Sequence, residues 1–234
     1  MMPKKLLLSL LLLAACGLAR AAQAPAPAVE RVSHGSFREV ALYRPHGPLK
    51  MAVLLLSGDA GWDAQLDGDA RALAAQGALV AGIDLAQLRQ ALARNSGCVF
   101  PVGDLENLSH YLQGYAQLPG YQPPLLVGQG GGAAVAYAML AQAQPGVFAG
   151  ALTLDFRPSL DLGRPPCEGQ GRLFAQAPAS GSVTALQPVA AMDVPWVSIQ
   201  SPPASAGAPA FDGQAFVAKV RGAAGVQLAD AAPA

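Results

Sequence analysis

Hydrophobic residues form short continuous runs along this chain, and amphipathic stretches separate the runs. The runs lie at residues 51–56, 79–85, 124–128, 150–156 and 195–200, with a shorter one at 226–229. Apolar runs of this length are typical of strands that are buried on both faces of a parallel sheet. An earlier stretch, residues 37–43, predicts one more strand, which ends before Pro45.

The stretches between these runs predict helices. They cover residues 67–76, 86–93, 104–117, 133–143 and 211–221. In the third of them Leu105, Leu108, Leu112 and Tyr115 recur at helical spacing and predict a buried face, while Asp104 is an expected N-cap. Strands that alternate with helices in this way predict an α/β fold, with a doubly wound, mostly parallel sheet and helices on both faces.

The amino-terminal residues predict export. Lys4 and Lys5 precede an apolar stretch that is too short to span a bilayer, so residues 1–21 are expected to be a signal peptide. Two processing routes stay open. Residues 19–21, Ala-Arg-Ala, fit simple cleavage, whereas residues 13–17, Leu-Ala-Ala-Cys-Gly, look like a lipoprotein signal in which Cys16 would be lipidated. The mature chain is expected in the periplasm, soluble or lipid-anchored, with no membrane span.

The remainder of the chain predicts one domain. Residues 22–34 are expected to be a flexible leader, and residues 35–234 a single α/β domain. Within that domain, residues 157–192 form a long excursion rich in Pro and Gly, with one weak strand at 172–174, and residues 201–210 form a linker.

Composition and charge narrow the function classes. Charged residues make up 13% of the chain, and 15 basic residues balance 15 acidic ones. The sequence has no basic stripe, which argues against a nucleic-acid partner. Export also means that Cys98 and Cys167 face an oxidising compartment and predict one disulfide, with two separate buried thiols as the alternative. Neither cysteine has another ligand type at metal-binding spacing, so no metal site is expected.

The most informative motif lies between the 124–128 strand and the 133–143 helix. It reads Gly128-Gln129-Gly130-Gly131-Gly132. In α/β-hydrolases this junction carries Gly-x-Ser-x-Gly, with the nucleophile at the apex of a strained turn. Here the frame is present and the apex is Gly130, which has no side chain. The motif therefore predicts an α/β-hydrolase-like fold without its nucleophile.

A second loop is expected to join this turn in a pocket. Residues 57–62 follow the 51–56 strand, where α/β-hydrolases place one N–H group of the oxyanion hole. The pocket residues from this loop are Ser57, Gly58, Asp59, Gly61 and Trp62, and the glycine motif adds Gln129, Gly130 and Gly131. The alternative is a tight turn with a packed tryptophan.

No catalytic triad is visible in the sequence. A hydrolase of this class needs a histidine after its last strand, yet His34 and His46 precede the sheet and His110 is expected on the exposed face of a helix. Ser57 has no visible base. Asp59, Asp84 and Asp155 follow strands, where such residues more often cap helices or bind loop N–H groups.

The same glycines allow a rival interpretation as a dinucleotide fingerprint. Gly128-x-Gly130-x-x-Ala133 matches Gly-x-Gly-x-x-Ala between a strand and a helix, and Asp155 closes the next strand. The motif alone is weak, and export argues against a nicotinamide or flavin cofactor. No cofactor is expected.

Four stretches resemble the bacterial VirJ/AcvB virulence proteins. They are residues 54–62, Leu-Leu-Leu-Ser-Gly-Asp-Ala-Gly-Trp, residues 81–85, Ala-Gly-Ile-Asp-Leu, the helix at Asp104-Leu105, and the strand with its glycine turn at 128–132. The similarity covers roughly residues 50–170. It implies a periplasmic α/β-hydrolase-fold protein linked to type IV secretion and to hydrolysis of aminoacylated phosphatidylglycerol.

This chain departs from the catalytic members of that family at the elbow serine and at the C-terminal histidine. It is more similar to the amino-terminal, degenerate half of AcvB. The resemblance therefore implies a non-catalytic protein, a pseudoenzyme, that binds a phospholipid headgroup or a catalytic VirJ-like partner. An active hydrolase of aminoacylated phosphatidylglycerol that uses other residues, or a base from a partner chain, is the alternative.

Overall fold

The architecture is a central sheet with helices on both faces, seen in a computed structural model that describes residues 29–167, 183–202 and 213–228. The strands are β1 (Glu30–His34), β2 (Phe37–Tyr43), β3 (Met51–Leu56), β4 (Ala78–Ile83), β5 (Leu125–Gln129), β6 (Gly150–Leu154), β7 (Ser159–Asp161), β8 (Val183–Ala185), β9 (Ala191–Gln200) and β10 (Arg221–Gln227). The helices are α1 (Ala64–Ala75), α2 (Leu85–Ala93), α3 (Pro101–Tyr115), α4 (Gly131–Gln142) and α5 (Gly213–Val217).

Eight of the strands form one sheet in the order β1-β2-β4-β3-β5-β6-β9-β10. β1, β2 and β4 pair antiparallel, and every pair from β4 to β10 is parallel. The helix α1 packs on one face, and α2, α3 and α4 contribute to the core on the other. The predicted α/β class, with a mostly parallel sheet and helices on both faces, is confirmed.

Helix α4 lies at the centre of the larger core. Every residue from Gly132 to Ala141 is buried. Tyr137 on this helix packs against Phe156, Trp196 and Phe216, with ring centroids 4.6 to 5.5 Å away. Its hydroxyl donates to the carbonyl oxygen of Gln187 and accepts from the N–H of Val189. This aromatic cluster joins α4 to the strands β6 and β9, which frame the carboxyl edge of the sheet.

Several element boundaries differ from those that the sequence predicted. β1 pairs with β2 from Glu30 onward, so the sheet begins inside the segment expected to be a leader. α1 begins three residues early because Asp63, through its side chain, accepts the N–H of Leu66 and caps the helix. Asp104 is not a cap, since α3 begins at Pro101.

The carboxyl-terminal elements differ more. β10 spans the region predicted as the end of a helix and the short strand that follows it, and α5 has five residues. Tyr115 was expected on the buried face of α3 and is 46% exposed, whereas Leu105, Leu108 and Leu112 are buried as predicted. The predicted strand at 172–174, the signal segment and Cys16 lie outside the described residues.

The excursion after β6 is tied back to the domain by a disulfide. Cys98 and Cys167 are bonded, with their Cα atoms 4.7 Å apart. Beside them the Val99 N–H donates to Pro165 O, and the Cys167 N–H donates to Val99 O. β7 and β8, which lie at either end of the undescribed part of the excursion, form a separate two-stranded antiparallel sheet.

Membrane-spanning helices and metal-ligand clusters are both absent from the described residues. No helix in the described ranges combines the length and apolar character needed to cross a bilayer. The same residues hold no group of three or more His, Cys, Asp or Glu side chains placed to bind a metal ion.

Candidate functional site

The glycine turn at residues 128–132 has the conformation of a strained elbow. Gly130 adopts φ 53° and ψ −115°, between the end of β5 and the first turn of α4. A Cβ on Gly128 would lie 2.7 Å from the nitrogen of Ala133, and one on Gly132 would lie 2.6 Å from the carbonyl oxygen of Leu56. These two glycines are therefore required for the close approach of α4 to the ends of β3 and β5.

The apex of the turn is open, in contrast to its two flanks. The nearest atoms to a Cβ on Gly130 would be Gly58 Cα at 3.9 Å and Asp59 Oδ2 at 4.0 Å. The backbone there is held in place because the Gly130 N–H donates to Leu154 O on β6. A side chain at position 130 would point into free space beside loop 57–62, where a nucleophile would stand in a hydrolase. We call the surface between loop 57–62 and the glycine turn the cleft.

An ion pair borders the cleft. The side chain of Asp59 reaches over Gly131 and pairs with Nη2 of Arg89 on α2. The Nε of Arg89 donates to Asp161 O at 2.9 Å, which fixes the guanidinium against the excursion. Sequence reasoning singled out Asp59 and missed Arg89, because an arginine inside an amphipathic helix carries no signal that it faces a site.

Ser57 is part of the loop's internal structure. It is fully buried, its hydroxyl donates to Gly58 O, and its Oγ accepts the N–H of Leu85 at 2.9 Å. Asp84 is the N-cap of α2, where it accepts from Gln87 N, and it also accepts the N–H of Trp62. Gly58 and Gly61 close the turn through a 3.1 Å bond from Gly61 N to Gly58 O. These bonds hold the loop to the start of α2.

Trp62 packs against the sheet on the side that carries α1. Its indole lies against Gly82, where a Cβ would come 2.7 Å from Cζ2 of the ring. The ring of Tyr43 stacks 6.4 Å away. Trp62 thus anchors the end of loop 57–62, and the exposed members of the cleft are Asp59 and Gln129, with Gly58, Gly130 and Gly131 partly exposed.

Tyr43, which stacks on Trp62, also belongs to a polar network with Asp67 and Arg71. Tyr43 donates to Asp67 at 2.6 Å, and Asp67 is paired with Arg71 one turn along α1. The bonds from Arg71 and Tyr43 lower the pKa of Asp67. Burial and the adjacent carboxylate of Asp67 raise the pKa of Tyr43 to about 12. Because the phenol stays protonated and the carboxylate charged, the network is intact at neutral pH.

Asp155 lies on the neighbouring strand end and faces β9. It adopts φ 53°, a conformation uncommon for a residue with a side chain. Its carboxylate accepts the Ser201 N–H at 2.7 Å and the Ser201 hydroxyl at 3.2 Å. In the dinucleotide interpretation Asp155 would bind a ribose, but its carboxylate is already bonded to Ser201. A Cβ on Gly128, the first glycine of that motif, would meet the carbonyl group of Gly132.

The histidines lie elsewhere. His34 stacks on Tyr111, His110 stacks on Tyr121 with ring centroids 3.6 Å apart, and the backbone N–H of His46 donates to Ala74 O at the end of α1. Among the described residues, no imidazole contacts the glycine turn. A hydroxyl at position 130 would accordingly lack the general base that activates a serine nucleophile.

The groups that the cleft can offer to a ligand are backbone N–H donors. The first N–H groups of an α-helix have no acceptor within the helix, and here they belong to Gly131 and Gly132. The positive end of the helix dipole favours a polar group at this place, beside the Asp59–Arg89 ion pair. The described part of the cleft can hold an oxygen-bearing group, but it offers no side chain that is placed to attack one.

Comparisons with known proteins agree with the fold. No family model and no curated protein sequence matches the chain. Among solved structures, the chain is similar to an alpha-beta serine hydrolase homologue from Coxiella burnetii, at 16% identity and a TM-score of 0.51 over 90% of both chains. It is also similar to a dienelactone hydrolase from Anabaena variabilis, at 16% identity and a TM-score of 0.55 over 90% of this chain and 88% of that one.

A third similar structure is a soluble variant of monoglyceride lipase from Saccharomyces cerevisiae, at 11% identity and a TM-score of 0.54. It aligns with 88% of this chain and 86% of its own. These likenesses show that the chain has an α/β-hydrolase fold.

Proposed function

We propose that this protein is a non-catalytic member of the α/β-hydrolase fold that binds a ligand at the cleft instead of cleaving it. The observation that carries the proposal is Gly130, which keeps the strained elbow conformation and presents no reactive atom. Without a side chain, Gly130 adopts this backbone conformation at little cost, so the turn keeps the elbow geometry although it has no nucleophile. The first N–H groups of α4, which have no acceptor within the helix, would be the donors for such a ligand.

The ligand we propose is a phospholipid headgroup in the bacterial envelope. The resemblance to VirJ/AcvB proteins favours phosphatidylglycerol and its aminoacylated forms, in lipid homeostasis or type IV secretion. Such headgroups carry a phosphate, and the aminoacylated ones carry an ester carbonyl. Both groups have oxygen atoms that can accept from N–H donors at the start of a helix. A catalytic VirJ-like partner that presents the same chemistry would use the same surface.

The competing proposal, an active hydrolase with other residues, has less support. Ser57 is buried and its oxygen is already engaged with Gly58 and Leu85, so it cannot reach a substrate without leaving the loop. The carboxylate of Asp59 is engaged in the ion pair with Arg89.

Vesicle binding tests the proposed ligand. We expect the protein to bind vesicles that contain phosphatidylglycerol or its lysyl ester more tightly than vesicles of phosphatidylcholine alone. Gly130→Leu, which fills the cleft, should weaken that binding by about tenfold or more. Gly35→Leu is the matched control, since Gly35 has φ 57° and open space around it in the β1–β2 turn. Equal binding to all vesicles, or equal loss in both variants, would contradict the headgroup proposal.

Amino-acid release from lysyl-phosphatidylglycerol tests the absence of catalysis. We expect no release above background from the natural chain. Gly130→Ser should also stay inactive, because position 130 has room for the side chain but no imidazole beside it among the described residues. The assay compares both proteins with heat-denatured samples. Clear turnover by the natural chain would show that the protein is an enzyme, and a gain in the variant alone would reveal an unrecognised base.

A further inference from the structure

The strand β10 ends one side of the eight-stranded sheet and is unusually exposed. It pairs with β9 and with no other strand in the described ranges. Six of its seven residues are exposed, and Ala223 is partly exposed. Val226 and the residue after the strand, Leu228, are apolar and expose 43% and 46% of their surface. A strand edge in this state is a template for pairing with another strand.

The backbone of β10 shows which groups are open. The Leu228 N–H donates to Gln200 O at 2.9 Å, so it points toward β9. Peptide groups alternate in direction along a strand, and the N–H groups of Gly225 and Gln227 therefore point away from β9. Within the parts of the chain that the structure describes, neither of these two N–H groups has an acceptor. The open edge thus offers donors and acceptors in a regular row.

The strand at the opposite edge of the sheet, β1, is protected against pairing with another strand. β1 carries the charged residues Glu30 and Arg31 and has an irregularity between Val32 and His34. Charges and bulges of this kind prevent edge-to-edge pairing. From Ala223 to Gln227, β10 has neither a charge nor a proline, and its register with β9 is regular over those five residues. Its irregularity is confined to the start, between Arg221 and Ala223.

We propose that β10 pairs antiparallel with β10 of a second copy of this chain, so that the two sheets continue into one. A two-fold arrangement places the open donors of each copy opposite the open acceptors of the same segment in the other. Any such register of residues 223–227 brings no like charges together, because the stretch is uncharged.

The expected dimer is weak and depends on concentration. One pair of short strands buries less surface than the standard protein interface, so a dissociation constant on the order of micromolar is expected. The small side chains of Ala223, Ala224 and Gly225 leave the edge flat, while Val226 supplies apolar surface to the contact.

Molar mass in solution as a function of concentration tests the pairing. The natural protein should pass from monomer to dimer, and Val226→Lys should raise the dissociation constant by about tenfold or more, since it sets two cations beside the two-fold axis. Val183→Lys is the matched control, because Val183 is a 49% exposed valine on β8, outside the main sheet. That variant should dimerise like the natural protein.

Each other outcome overturns the proposal. A natural protein that stays monomeric up to its solubility limit excludes self-pairing, and a dimer that persists unchanged in Val226→Lys uses another surface. If Val226→Lys fails to fold, amide hydrogen exchange of the natural protein decides the question. Protection of residues 223–228 that grows with protein concentration supports the pairing, and unchanged exchange there overturns it.

Discussion

Gly132→Ala should lower the free energy of unfolding by more than about 3 kcal/mol, or prevent folding altogether. The added Cβ would overlap the carbonyl oxygen of Ser57 and lie 2.6 Å from that of Leu56. Both atoms belong to backbone at the end of β3, in the middle of the sheet. No side-chain rearrangement relieves that overlap, so α4 would have to separate from the strand.

Gly130→Ala is the matched control for this prediction. Its Cβ meets nothing closer than 3.9 Å, and the remaining penalty is the backbone conformation, φ 53° and ψ −115°, which costs a residue with a side chain about 1 to 3 kcal/mol. Urea unfolding, followed by circular dichroism, measures the free energy of unfolding of both variants. If Gly132→Ala proved as stable as Gly130→Ala, the close approach of α4 to β3 would be wrong, and with it the geometry of the elbow.

Removing the disulfide has the other large expected effect. The bond between Cys98 and Cys167 joins residues that are 69 positions apart, and a loop of this length corresponds to about 4 kcal/mol in the chain-entropy account. The double variant Cys98→Ala/Cys167→Ala should therefore unfold at a clearly lower urea concentration. The bond also holds Val99 beside the segment at 165–167, so its loss releases one end of the excursion.

A dithiol reductant provides the control for the disulfide prediction. Cys98 is exposed, and the reductant should lower the urea midpoint of the natural protein to that of the double variant. The variant itself should not respond to the reductant. A natural protein whose midpoint is insensitive to complete reduction would show that the bond contributes nothing to stability, contrary to the loop-length argument.

The centre of this fold was predictable from the sequence because the central elements are buried on both faces. Uniform burial produces the continuous apolar runs of β3, β4 and β5, a pattern that strongly favours strands inside a parallel sheet. The edges were predicted less well. β1 mixes charged and apolar residues, and β10 is composed mainly of Ala and Gly, so neither carries a strong periodic signal. Their place in the sheet depends on pairing with β2 and β9, which no local pattern encodes.

The candidate site was also predictable only in part. The strand-turn-helix pattern located the elbow, because glycines at 128 and 132 are required by backbone packing. The roles of the polar side chains depended on contacts distant in sequence. Ser57 is engaged by Leu85, Asp59 by Arg89 and Asp155 by Ser201, with partners 28 to 46 positions apart. Residue type and position alone could not separate a free side chain from one bonded within the protein.

The burial of α4 from Gly132 to Ala141 has a consequence for the turn that precedes it. A helix surrounded by core on all sides exposes its amides only when the whole domain opens, so it belongs to the most slowly opening cooperative unit. The Gly130 turn connects that helix to a central strand and is held by the bond to Leu154 O. The turn therefore cannot rearrange while that helix and the strand stay in place. If the cleft binds the proposed ligand, its N–H donors would be preorganised by the stability of the domain, and binding would require no rearrangement of the turn.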